Sequence, residues 1–151
     1  MTTATASTIP ACLDALVQAA RAALSGVQVL DGQPAEELQP DVVMIGFTGQ
    51  PGEAAVTSTL TREVYARSPD REQYDIACLA SSWRGNTDPK VVRDRAFELL
   101  DAVAGALADD QTLGGAVLRA RLSAEAVVPE QTTDGATCTV AFTVHVDAFT
   151  R

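Results

Sequence analysis

His145 is the one histidine in the chain, and it shares a face of an alternating run with Thr143 and Asp147. A histidine oriented by a carboxylate can act as a general base. No Gly-x-Ser-x-Gly nucleophile motif accompanies it, so a surface histidine on a half-exposed strand is the simpler reading. Gly46, Gly49 and Gly52 follow an apolar run, as the glycines of a phosphate loop would. The Lys-Ser/Thr of such a loop is missing, and the residues after it have strand character. Asp109-Asp110 closes a helical stretch without the further carboxylates of a calcium loop, which leaves a solvated helix end. Cys12, Cys78 and Cys138 have no C-x-x-C spacing, so neither a zinc site nor a disulfide framework is expected. They read as small buried hydrophobes. No catalytic residue, cofactor or metal site is expected from these residues.

Trp83-Arg84 leaves two readings open. Tryptophan and arginine are enriched where protein interfaces are energetically concentrated. A tryptophan at this place also fits a core plug beneath the helix that follows.

The elements that must position these residues are legible in the periodicity. Thr8 and Pro10 open a helix whose apolar stripe is Leu13, Leu16, Val17, Ala20 and Leu24. Residues 27–31 form a short strand, and the continuous apolar run 41–47 predicts a strand covered on both faces. The loop over 48–55 carries Gly49, Pro51 and Gly52 and is a candidate docking loop. Alternation over 59–65 and 74–81, around Ser68-Pro69-Asp70, predicts a long hairpin. Asp88-Pro89 starts a second helix with the stripe Val92, Ala96, Leu99, Leu100, Val103 and Leu107. Two strands close the chain, over 117–127 and 136–149, with a turn region over 129–135 between them. In the last, Cys138, Val140, Phe142, Val144 and Val146 oppose Thr137, Thr139, Thr143, His145 and Asp147. The order helix, four strands, helix, two strands predicts an α+β domain. A mainly antiparallel sheet of about six strands carries the two helices, in a single domain over 1–151 with a flexible stretch at 1–8.

The formal charge of -9, with Asp and Glu totalling 20 against 11 Lys and Arg, disfavours a grip on nucleic-acid phosphates. An acidic wall can still face DNA without holding it. No run approaches the roughly 18 apolar residues of a membrane helix, and no signal-peptide pattern opens the chain. Synthesis in a reducing cytoplasm is expected.

The stretch from Val91 onward resembles the tail-terminator and tail-completion proteins of long-tailed bacteriophages. The matching features are the helix over 91–101, the exit 110–115 with Leu113-Gly114-Gly115 and the strand from 117. The Thr133-Asp134-Gly135 turn and the Val/Thr strand over 140–146 complete them. The resemblance implies a structural virion protein at the head–tail junction. Such a protein forms a ring, usually a hexamer, that ends tail-tube polymerisation and offers the head-joining surface. Its partners would be further copies of itself, the tail-tube protein and a head-completion or connector protein, with DNA passing through unbound and no membrane involved. Another neck or head-closure protein, a bacterial small-molecule-binding α+β domain and a minor enzyme using His145 are the alternatives. Trp83, Arg84, Thr137, Thr139 and Thr143 are the candidate interface residues. The strand over 136–149, long and nearly uncharged on its threonine face, is expected to be an assembly edge.

Overall fold

The computed structural model describes residues 6–61 and 70–150. Its elements are α1 (Ile9–Ala23), β1 (Gln28–Asp31), β2 (Asp41–Ile45), β3 (Val56–Thr61), β4 (Arg71–Arg84), α2 (Pro89–Asp109), β5 (Arg119–Thr132) and β6 (Gly135–Phe149). The predicted α+β order is the observed one. One six-stranded sheet has the order β1-β2-β4-β6-β5, and β3 pairs with β4 as well. Among the described strands, β1 and β2 pair parallel and the other pairs antiparallel. β2 lies along Cys78–Ser82 of β4 and β3 along Arg71–Ile76, so the two share one flank of β4 end to end. Arg62 to Tyr65 of the predicted hairpin, and its Ser68-Pro69 turn, lie outside the described residues.

Both helices cover one face of the sheet. Period-two alternation turns Ile76, Cys78 and Ala80 of β4 and Val140, Phe142 and Val144 of β6 toward them, all fully buried. The α2 stripe Val92, Ala96, Leu99, Leu100, Val103 and Leu107 packs on these strands, and Leu16, Val17 and Ala20 of α1 complete the core. The three cysteines are buried and unpaired, and burial pushes the Cys78 thiol up to about 12. They are packing groups, as the sequence predicts.

The two helix starts differ. Asp88 caps α2 by accepting from the Lys90 amide at 3.0 Å. Thr8 occupies the cap position of α1, but its side chain does not cap the helix. It donates instead to Glu72 of β4, a buried carboxylate that also accepts from the Thr8 amide and from Ser7. A tertiary carboxylate therefore meets the positive end of α1. Ser7 and Thr8, expected to be flexible, are tied to the sheet. Asp110, expected to be a solvated helix end, organises the turn after α2, accepting from the Thr112 amide and hydroxyl and the Gly114 amide.

Further expectations change. β6 is not an edge: β4 pairs along one side of it and β5 along the other, which occupies its backbone hydrogen-bonding groups. β5 is the edge strand, and it runs through the predicted turn region to Thr132. Pro129 is compatible with this because an edge strand has a free side for a residue without an N–H. A bulge between Ala124 and Ala126 breaks the alternation, so Ala126 pairs with Ala141 and leaves the apolar stripe expected for it. Val117 is buried and Leu118 exposed, the reverse of the expected alternation at the start of this strand. At the hairpin, a β-carbon on Gly135 would stand 2.0 Å from the Arg84 carbonyl oxygen, so the close approach admits only glycine.

Candidate functional site

Among the described residues, no helix or second sheet lies on the sheet face opposite the helices. Register places Trp83 beside Thr137 and Ser81 beside Thr139, with Ala77 beside Thr143. Four of the five interface candidates, Trp83, Thr137, Thr139 and Thr143, therefore share this open face. Ser81 and Thr139 hydroxyls lie 3.0 Å apart across it. Trp83 is 42% exposed, which overturns the core-plug reading. Arg84 departs from the group. It donates to both oxygens of Asp41 at 2.8 and 3.1 Å, and Arg95 of α2 donates to the same carboxylate at 2.9 Å. Burial works against the charged form of Asp41, but the hydrogen bonds from Arg84, Arg95 and Ser82 outweigh it and hold the carboxyl at about 2. Arg84 thus braces β2, β4 and α2.

One end of the open face is partly covered. Val42, Met44 and Leu79 form a small second cluster against which Phe47 packs. This is why the run 41–47 is apolar on both sides: Val43 and Ile45 meet the helices, while Val42 and Met44 meet Phe47 and Leu79. Within the candidate docking loop, a side chain on Gly49 would come within 3.5 Å of Leu79, and Gly49 itself has φ +96°. Pro51 and Gly52 beyond it are exposed. The loop is seated on the sheet at Gly49 and presents its tip to solvent.

The other end is polar and hollow. A concavity of about 570 Å³ spans the face from β5 to β3, lined by Arg71, Arg119, Arg121, His145, Gln73 and Thr59 among others. His145 does not use Asp147, two residues away, as the sequence spacing implies. Neighbouring strands supply its partners: Nδ1 lies 2.6 Å from Asp75 of β4, and Nε2 lies 2.8 Å from the Ser123 hydroxyl of β5. Asp147 is held by Arg71 through two hydrogen bonds, at 3.0 and 2.6 Å. These bonds, with Arg119 nearby, keep its carboxyl below the ordinary range.

An Asp–His–Ser series invites comparison with a hydrolytic relay, in which the imidazole takes the serine proton. Here the Ser123 hydroxyl donates to Glu125 at 3.0 Å. A hydroxyl has one hydrogen, so the Glu125 carboxylate and Nε2 compete for it. The series ties β4, β6 and β5 together across the open face.

Asp75 and Ser123 escaped the sequence reading because their link to His145 is a cross-strand one, invisible to spacing along a single strand. The alternation of Arg119 and Arg121 was visible, but their meeting with Arg71 was not. Among the described residues no group of three His, Cys, Asp or Glu side chains could hold a metal ion. Nor is any described helix long and apolar enough to cross a membrane.

No family model matches the chain, and no curated protein is similar to it. Among solved structures, it is similar to a chain of the virion of a native gene transfer agent particle. The TM-score is 0.47 at 12% identity, covering 96% of this chain and 99% of that chain. It is also similar to the sheath/tube terminator of an extracellular contractile injection system in its extended state. There the TM-score is 0.47 at 17% identity, covering 99% of this chain and 58% of that chain, so the match spans little more than half of the terminator's length.

Proposed function

We propose that this chain is a structural subunit of a phage-type tail, a terminator that assembles into a ring on the finished tube. The ring, a hexamer in this reading, ends tube polymerisation and offers the surface to which a head-completion or connector protein joins. DNA passes through it without being held, as the net acidic charge favours. The location is the head–tail junction of the virion, and the role is assembly rather than catalysis. Supporting the reading is the stretch from Val91 onward, whose resemblance to tail terminators includes the helix, exit, strand, turn and strand of α2, β5 and β6. The open face adds a surface on which Trp83, Thr137, Thr139 and Thr143 stand together, weakly charged and free of helix cover. A ring needs two different patches meeting head to tail, and this face is suited to be one of them. The exposed tip at Pro51 and Gly52 is suited to docking on the tube or the head side.

The deciding experiment mixes purified protein with tail tubes and combines native mass determination with negative-stain imaging. The expected outcome is a closed ring seated on one end of each tube. Uncapped tubes, together with a protein that stays monomeric in their presence, would overturn the reading.

A further inference from the structure

The hollow at the β5 end of the open face has a charge pattern that the other described residues do not complete. Asp147 is engaged by Arg71, and Asp75 by His145. Arg119 and Arg121, two residues apart on the same face of β5, have neither an ion pair nor a hydrogen bond among the described residues. Among the described lining residues Arg119 and Arg121 add positive charge to this face of a chain of net charge -9. Leu118, next to Arg119 in the chain, is 50% exposed.

A complementary patch lies at the opposite margin of the sheet. Glu36, Glu37 and Leu38 are exposed in the segment between β1 and β2, and Leu38 is 47% accessible. This segment is held in place. The Gln28 side chain donates to the Glu37 carbonyl at 3.1 Å and accepts from the Gln39 amide at 2.8 Å. Two carboxylates and a leucine are thus presented on a fixed backbone next to β1. Because β1 and β5 are the two ends of the strand order, these patches point away from each other and cannot meet within one chain.

We propose that the Arg119/Arg121 hollow of one copy receives the Glu36-Glu37-Leu38 segment of the next copy. Each arginine then meets a carboxylate, and Leu118 meets Leu38. The contact is heterologous, since each copy uses a different patch toward each neighbour, and it closes a ring when the rotation it imposes divides a full turn, as the ring reading requires. This inference rests on the ring reading above and names the surfaces that make the ring. An acidic chain repels copies of itself, so placing cations at the one contact where copies meet also selects that contact over others.

The test is self-association of the full chain, followed by sedimentation velocity at low and high salt, with thermal melts confirming that each variant folds. Arg119→Glu with Arg121→Glu is expected to weaken association roughly hundredfold at low salt, because like charges then face each other. Glu36→Arg with Glu37→Arg should weaken it similarly. Combining all four substitutions restores the charge pairing and should recover association to within about tenfold of the unmodified chain. Unchanged association of folded Arg119→Glu/Arg121→Glu protein would overturn this inference and leave the ring reading standing. Weakening without recovery in the fourfold variant would also overturn it, by excluding the Glu36–Leu38 segment as the occupant. If the unmodified chain binds a short single-stranded oligonucleotide through these arginines while their reversal leaves association intact, the hollow is a phosphate site and the inference fails. A protein that never associates, with or without tail tubes, overturns both readings together.

Discussion

The two faces of the central strands β4 and β6 are made from alternate residues of the same backbone, yet they carry different kinds of surface. Toward the helices stand Ile76, Cys78, Val140, Phe142 and Val144, apolar and closed to solvent. On the other side stand Asp75, Ser81, Thr139, His145 and Asp147, which hydrogen-bond across strands, and Thr143 beside them, all partly open. Burial of the first face supplies the main favourable free energy of folding. The second face contributes less to stability and is correspondingly free to carry recognition. A period of two residues thus lets one strand hold the core and present a surface at the same time.

The sharpest way to break this contrast is to alter both faces and compare. Phe142→Ala empties a fully buried site under α2 and should destabilise the protein by about 3–5 kcal/mol, read as a fall in midpoint on chemical denaturation. Next in size is the bracing network at Asp41. Its folded-state pKa lies below the ordinary value of 3.8, at about 2, so its contribution is present above the unfolded pKa and is lost as pH falls through the folded one. Stability measured between about pH 4 and pH 2 should decline by about 2 kcal/mol from this carboxylate. Asp41→Asn should flatten that part of the profile. Asp88→Ala removes the α2 cap and should cost about 1 kcal/mol in the same assay.

On the open face, Trp83→Ala and Thr139→Val should change stability by no more than about 0.5 kcal/mol. A ring-assembly defect with an unaltered melting curve is expected from Trp83→Ala. A large drop in melting temperature with intact assembly would instead return Trp83 to a structural role. His145→Ala should have the smallest effect, leaving assembly in place. Ester hydrolysis that is lost in both His145→Ala and Ser123→Ala would revive the hydrolytic relay.

Much of the fold was readable because its signals are local. The α2 stripe, the Asp88-Pro89 start and the alternation of residues 136–149 all follow from helix and strand periods that do not depend on distant partners. Errors appeared where a distant group intervened. Thr8 lost its capping role to Glu72, sixty-four residues away along the chain, and the β5 bulge moved Ala126 to the other face. Long polar alternation suggested an edge for β6, yet length and side-chain pattern do not reveal which strands lie on either side. The candidate site divides in the same way. The threonines of the open face could be chosen from one strand, whereas the His145–Asp75–Ser123 tie and the Arg71–Arg119–Arg121 grouping span two or three strands.

By itself, the sequence determined the α+β class, the order of elements, the apolar faces of both helices and the burial of the three cysteines. These follow from composition and from the 3.6- and 2-residue periods, which act over a few residues. Only the tertiary structure decided that β6 is interior and β5 the edge, that Trp83 is exposed while Arg84 turns inward to Asp41, and that His145 answers to Asp75. Those facts depend on strand order and register, and hence on which long-range pairing lowers the free energy of the whole sheet.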